Sequence, residues 1–157
     1  MNRPLRLMLW HWGRHGGGPS YTYHLARALK ALPDVETHLS ISRQCEIAKE
    51  FRALDLPVLW VDTYRGLPTC LLQSCLLPAV ARRLRRYIHD HRIDAVNSTM
   101  THLWTRLVTP ALGRRQARLV CTVHDATLHP GEGGRVKDWF YAPVPGVDAY
   151  IALTRFV

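Results

Sequence analysis

The chain has 157 residues, of which 47% are hydrophobic and 21% are charged. These values are typical of one ordinary globular domain and exclude an intrinsically disordered chain. Lys and Arg number 21 against 12 Asp and Glu, which gives a net charge of +9. A charge of this sign suits an anionic partner, which on charge alone is a nucleic acid, an anionic membrane or a phosphorylated ligand.

The cysteines and the first residues indicate a cytoplasmic protein. The four cysteines form no C-x-x-C pair, so we expect reduced thiols rather than a disulfide or zinc framework. The nine histidines show no H-E-x-x-H spacing, and we expect neither a metal nor another cofactor. The start of the chain lacks the pattern of a signal peptide, and no stretch approaches the roughly 18 apolar residues of a membrane-spanning helix.

Short apolar runs alternate with segments of helical period, which predicts a parallel sheet covered by helices. The predicted strands are Leu5–Trp10, Val35–Ile41, Val58–Val61, Ile93–Val96, Arg118–Val123 and Ala149–Leu153. The predicted helices are one from Pro19 to about Leu32, then Glu46–Leu54, Cys70–His91 with a break at Pro78, and Leu103–Leu112. Right-handed crossovers make this order a single α/β domain over residues 1–157, a Rossmann-like doubly wound sheet with three α/β/α layers.

The chain ends at Val157, directly after the sixth predicted strand. Thr154 and Arg155 have the pattern of another helix start. Because the chain ends before that helix, the last strand would lack the helix that covers it. We therefore expect one domain of a longer protein.

Glycine, histidine and hydroxyl residues follow four of the predicted strands. Ligands of open parallel sheets bind at the carboxyl ends of the strands, near the point where the strand order reverses. The four segments that would meet there are residues 10–20, 97–102, 124–131 and 154–155. Their convergence predicts a binding site at this edge.

Three consecutive glycines, Gly16, Gly17 and Gly18, are predicted to form a loop between the first strand and the first helix. Glycines let backbone N–H groups approach a ligand, and a helix N-terminus favours an anion such as phosphate. Tyr21 replaces the third glycine of a dinucleotide-binding fingerprint, and no P-loop lysine follows. The alternative interpretation is a flexible surface turn.

His124 follows a buried apolar strand, where an imidazole can bind a sugar hydroxyl or a developing charge. The alternative is a histidine that only caps the strand. His15, His102 and His129 are weaker candidates, and Thr99 adds a hydroxyl after the fourth strand.

An arginine-rich segment lies in the third predicted helix. Helical spacing places Val80, Leu84, Tyr87 and Ile88 on one face. Arg82, Arg85 and Arg86 point largely away from that face, and with Arg83 they form a basic group. Such residues usually form a solvated face, and the sharper hypothesis is attachment to anionic lipid. Nucleic acid is less favoured because no recognition motif is present.

The order of these motifs resembles the N-terminal domain of retaining glycosyltransferases of GT-B architecture, the glycosyltransferase family 4-like group. The resemblance rests on the three glycines, the following Tyr23–Leu29 segment, the Val123-His124-Asp125 step and the Ile151–Val157 segment. It covers nearly the whole chain.

The resemblance implies an enzyme that moves a sugar from a nucleotide-sugar donor to an acceptor sugar or lipid with retention of configuration and no catalytic metal. The N-terminal domain would hold the acceptor, and the donor-binding domain is absent here, so this chain would be inactive alone. His124 would contact the transferred sugar. The residues implied for the donor phosphates or the acceptor are Gly16, Gly17, Gly18, Thr99, His102, Asp125, Thr154 and Arg155.

Two other functions stay open on the sequence. One is a stand-alone regulatory domain that binds phosphate or a nucleotide, and the other is a basic adaptor for membrane or nucleic acid. Under the leading hypothesis, the basic helix would allow peripheral contact with the inner face of the membrane.

Overall fold

The computed structural model describes residues 3–64, 66–112, 117–124 and 142–153. Its strands are β1 (Leu5–His11), β2 (Val35–Ser42), β3 (Val58–Val61), β4 (Ala95–Ser98), β5 (Arg118–Val123) and β6 (Ala149–Ala152). They form one sheet in the order β3-β2-β1-β4-β5-β6, and every neighbouring pair is parallel. The predicted doubly wound sheet is confirmed.

The helices described are α1 (Gly17–Lys30), α2 (Ala48–Ala53), α3 (Leu67–Ser74), α4 (Leu77–Asp90) and α5 (Leu103–Leu112). None of these five is both long enough and apolar enough to cross a membrane. The segment between β5 and β6 lies mostly outside the described residues.

Two hydrophobic cores lie on opposite faces of the sheet. On one face, Met8 and Trp10 of β1 pack with side chains of α4 and α5. On the other face, Leu9 of β1 packs with Ala26 of α1 and Phe51 of α2. The alternation of side chains along β1 therefore gives the three α/β/α layers that the sequence predicts.

The first helix begins earlier than predicted. Gly17 and Gly18 form its first turn, whereas the sequence analysis placed them in a preceding loop and began the helix at Pro19. Proline is tolerated at any position of the first turn because those N–H groups have no intrahelical acceptor. Gly16 is the N-cap residue, with φ 89° and ψ −158°.

The segment predicted as helical from Cys70 to His91 with a break at Pro78 is two helices, as the predicted break implies. The break lies at Cys75 and Leu76, and Pro78 is the second residue of α4 rather than the site of the break. Backbone N–H groups in the first turn of a helix have no intrahelical acceptor, so proline fits there without losing a hydrogen bond. This explains why the break lies before Pro78. The predicted orientation of α4 is confirmed, because Leu84 and Ile88 are buried. The four arginines on its outer side, Arg82, Arg83, Arg85 and Arg86, are exposed.

Candidate functional site

The strand order reverses between β1 and β4, which lie side by side with Trp10 paired to Ser98. Thr99, the first residue after β4, donates its N–H to the carbonyl oxygen of Trp10 at 3.2 Å. The exits of the two strands are thereby tied together. In doubly wound sheets this is the crevice where ligands bind.

Three hydrogen bonds connect the first turn of α1 to His124. The Thr22 hydroxyl donates to the Gly18 carbonyl oxygen at 2.8 Å and lies 2.7 Å from the Thr99 hydroxyl. The Thr99 carbonyl oxygen accepts a bond from His124 Nε2 at 2.8 Å. The glycine turn, the exit of β4 and the exit of β5 therefore form one connected unit, as the convergence of polar segments predicts.

The contact with Thr99 determines which atom His124 offers to a ligand. A carbonyl oxygen only accepts, so Nε2 carries the proton and Nδ1 of the neutral ring keeps its lone pair. The Tyr21 ring from α1 packs edge-on against the imidazole, with ring centroids 4.8 Å apart. His124 is half-buried and held in place, and its Nδ1 can accept a hydrogen bond from a hydroxyl group.

The first turn of α1 offers backbone donors to an anion. Gly17 and Gly18 have no acceptor for their N–H groups in the part of the chain that is described, and Pro19 has no N–H. A Cβ on Gly17 would meet nothing within 4 Å, so this residue faces open space. The geometry fits the binding of a phosphate group at this helix terminus.

His11, the last residue of β1, lies in the predicted segment 10–20, but the sequence analysis did not name it as a site residue. Its side chain is 1% exposed, and its ring fills the space that a Cβ on Gly13 or on Gly18 would need. A Cβ on Gly18 would come within 2.6 Å of His11 Cε1, and one on Gly13 within 2.7 Å of Nε2. Two of the glycines near the turn are therefore required by packing against this ring. The signal in the sequence is a histidine at a strand end with glycine two residues later.

His11 Nδ1 lies 3.3 Å from the Thr99 hydroxyl, which also lies 2.7 Å from the Thr22 hydroxyl and 3.5 Å from the Trp10 carbonyl oxygen. The other ring nitrogen, Nε2, has no hydrogen-bond partner among the described residues. Burial, with added repulsion from His102 and His124, lowers the pKa of His11 to about 4. The ring is neutral near pH 7.

A second group of side chains lines the same edge. His102 stacks on Tyr64, which follows β3, with ring centroids 5.3 Å apart, and the Arg14 guanidinium lies 5.7 Å from the centre of the Tyr64 ring. Burial and, secondarily, the charge of Arg14 lower the pKa of His102 to about 4. The backbone N–H of Trp104 donates to His102 Nδ1 at 3.3 Å, so Nε2 carries the proton. The sequence analysis named His102 but neither Arg14 nor Tyr64 as site residues.

Four of the predicted site residues lie outside the described residues: Asp125, His129, Thr154 and Arg155. Within the described ranges, no group of three or more His, Cys, Asp or Glu side chains is arranged to hold a metal ion.

The comparisons with known proteins identify the family. The sequence model described as "Glycosyl transferase 4-like domain" matches residues 16–156, which include the glycine turn and His124. The chain belongs to this glycosyl transferase 4-like family. No curated protein matches its sequence.

A solved structure agrees with the fold of this glycosyl transferase 4-like domain. The crystal structure of Acinetobacter baumannii MurG superposes with a TM-score of 0.66 at 13% sequence identity. The match covers 98% of this chain and 43% of the MurG chain, so the chain spans less than half the length of that protein. At this identity the similarity concerns the fold.

Proposed function

We propose that this glycosyl transferase 4-like domain is the N-terminal, acceptor-side half of a GT-B glycosyltransferase. The full enzyme transfers a sugar from a nucleotide-sugar donor to an acceptor sugar or lipid, with retention of configuration. A second domain supplies most of the donor contacts, so residues 1–157 are inactive alone. The share of MurG that the chain spans is consistent with a second domain of similar size.

The observation that carries this proposal is the hydrogen-bonded path from Gly18 through Thr22 and Thr99 to His124. It fixes the first turn of α1 relative to the His124 imidazole at one edge of the sheet. We propose that the turn binds an anion and that the imidazole accepts a hydrogen bond from a hydroxyl. A nucleotide-sugar needs both groups, because its phosphates are anionic and its sugar carries hydroxyls. We assign the donor diphosphate to the Gly17 and Gly18 N–H groups and a hydroxyl of the transferred sugar to His124 Nδ1.

The proposed reaction breaks the bond between the anomeric carbon and the diphosphate oxygen, and it forms a bond from the acceptor oxygen to the same face of that carbon. The acceptor proton passes to the leaving phosphate oxygen. Negative charge develops on that phosphate, and donors fixed before the reaction stabilise it without reorganising. In this chain, those donors are the first-turn N–H groups of α1.

We also propose peripheral contact with anionic membrane through α4. Its apolar side is covered by the sheet, and its four outer arginines are exposed. Basic side chains near an anionic bilayer contribute roughly 1 kcal/mol each. Such contact would bring a lipid-linked acceptor to the enzyme.

The experiment is a transfer assay on the full-length protein with a panel of nucleotide-sugars, followed by assignment of the anomeric configuration of the product by NMR. We expect transfer with retention by the full-length protein and none by purified residues 1–157. Transfer by the isolated chain would contradict the two-domain assignment, and inversion would contradict the proposed chemistry. A full-length protein that binds nucleotide without transfer would instead support the regulatory alternative.

A further inference from the structure

The carboxylate of Glu46 already lies at the glycine turn. Its Oε1 accepts a hydrogen bond from the Gly16 N–H at 2.9 Å, and its Oε2 lies 3.1 Å from His15 Nδ1. Glu46 belongs to the loop between β2 and α2, and its own N–H donates to the Arg14 carbonyl oxygen at 2.9 Å. A negative group from a separate loop therefore occupies the N-cap donor of α1.

Two observations at this turn point to a polar ligand. The first is the carboxylate itself, because its contact shows that the Gly16 N–H takes a negative group from outside the helix as its partner. The second is His11, which is 1% exposed and whose Nε2 edge packs against Gly18 without a hydrogen-bond partner among the described residues. A buried polar atom without a partner is costly and needs an explanation. With its proton on Nε2, the ring would donate to an anion bound at the turn.

We propose that Glu46 is a specificity-determining residue that competes with phosphate for the N-terminus of α1. This inference rests on the proposed function, because it concerns the turn assigned to the donor diphosphate. A phosphate that reaches Gly17 and Gly18 meets the Glu46 carboxylate on the adjacent Gly16 N–H. The two negative groups repel each other. Either the carboxylate swings away when phosphate binds, or its charge weakens the complex.

The surroundings of Glu46 allow this displacement without unfolding. Its side chain is 41% exposed and that of His15 is 68% exposed, so the carboxylate can move into water without leaving a cavity. The backbone bond from Glu46 to Arg14 does not involve the carboxylate and can persist. The Gly16 N–H, once released, becomes a third donor beside those of Gly17 and Gly18. Glu46 therefore adds a free-energy cost to anion binding, and a multiply charged diphosphate overcomes this cost more readily than a singly charged anion.

The test is calorimetric titration of the 157-residue chain with inorganic pyrophosphate. Glu46→Gln removes the charge at the turn, and Glu50→Gln removes one charge from the exposed start of α2 as a matched control. We expect Glu46→Gln to bind pyrophosphate at least about fivefold more tightly than the wild type, and Glu50→Gln to stay within twofold. Adding Gly17→Val to Glu46→Gln should abolish the gain, because the branched side chain covers the turn.

The possible results separate this inference from the proposed function. If the wild type binds pyrophosphate and Glu46→Gln binds it no better, Glu46 only fastens two loops, and the inference is wrong while the anion-binding turn stands. If no variant binds pyrophosphate, the inference and the assignment of the diphosphate to this turn are both wrong, and the transfer assay on the full-length protein still decides the proposed function. Equal gains from Glu46→Gln and Glu50→Gln would show a general charge effect and would also overturn the inference. Glu46→Ala, checked by circular dichroism, replaces Glu46→Gln if the amide disturbs folding.

Discussion

His124 Nε2 donates a 2.8 Å hydrogen bond to the main-chain carbonyl oxygen of Thr99. The residue after β4 thereby fixes the ring of the residue after β5 and leaves Nδ1 as an acceptor. The Thr99 side chain is fully buried and bonds to Thr22 of α1. Thr99 is therefore a positioning residue, and a ligand would meet His124 rather than the Thr99 hydroxyl.

A double-mutant cycle on Thr22 and Thr99 measures this coupling. Each single change to Val leaves a buried hydroxyl without its 2.7 Å partner, and we expect each to lower the free energy of unfolding by about 1–3 kcal/mol. The double variant removes both hydroxyls and should lose less than the sum, by about 1 kcal/mol. Urea unfolding of the four proteins gives the values. Additivity within about 0.3 kcal/mol would show that the two hydroxyls do not interact.

The three glycines should respond differently to Ala. Gly16→Ala should cost about 1–3 kcal/mol because φ 89° with ψ −158° is essentially restricted to glycine. Gly18→Ala should also destabilise, by about 1–3 kcal/mol, because its Cβ would lie 2.6 Å from His11 and 2.8 Å from Met100 Sδ. Gly17→Ala should be neutral or slightly stabilising, because its Cβ meets nothing within 4 Å. Thermal unfolding measures all three, and a destabilising Gly17→Ala would contradict this assignment.

The buried histidines predict loss of stability in acid. Because the pKa of His11 is about 4 in the folded protein against 6.5 ordinarily, the unfolded chain binds more protons between these values. The contribution of His11 to the free energy of unfolding is therefore fully present above about pH 6.5 and is lost as the pH drops toward about 4. The difference between the two pKa values corresponds to about 3 kcal/mol. His102 acts in the same direction.

Urea unfolding as a function of pH tests this prediction. His11→Gln should flatten the slope of unfolding free energy between pH 4 and 6.5, whatever its effect on stability at pH 7. His24→Gln, at an exposed position of α1, is the control and should leave the slope unchanged. An unaltered slope in His11→Gln would show that the ring is not held neutral.

Much of the fold was predictable because its signals are local. The apolar run of β1 and the alternation of β2 place both strands within one residue of their observed ends. The start of α1 was predicted two residues late, because proline fits several positions of a first turn. The break between α3 and α4 was misplaced for a similar reason, since Pro78 lies inside the first turn of α4.

The site was only partly predictable because its remaining members meet through the fold. His124 and the glycines stand at strand exits, a position that the sequence reveals. His11 is buried only because Gly13 and Gly18 leave room for its ring, and Glu46 reaches Gly16 from a different loop. The contact of Glu46 with Gly16 joins residues 30 positions apart and has no local signature, so this role needed the structure. His11 is close to both glycines in the sequence, but its burial became visible only in the structure.

The arginines of α4 give a prediction for membrane binding. The chain should bind vesicles containing phosphatidylglycerol more tightly than vesicles of phosphatidylcholine alone, and added salt should weaken binding by screening the charges. Changing Arg82, Arg83, Arg85 and Arg86 to Gln should lower the affinity at least about tenfold. A variant with Arg27 and Lys49 changed to Gln alters exposed charges on the other side of the sheet and serves as the control. Equal binding to both vesicle types would leave the arginines as a solvated face.

The most direct test of the account is the effect of His124→Ala on sugar transfer by the full-length protein, compared with Gly17→Val and an exposed control, His24→Ala. We expect His124→Ala to lower kcat at least about tenfold while moving the free energy of unfolding by no more than about 1 kcal/mol. Gly17→Val should mainly raise KM for the nucleotide-sugar, because it covers the donors assigned to the diphosphate. If His124→Ala keeps full turnover and unfolds much more easily, His124 is a structural cap of β5 and the proposed site is wrong.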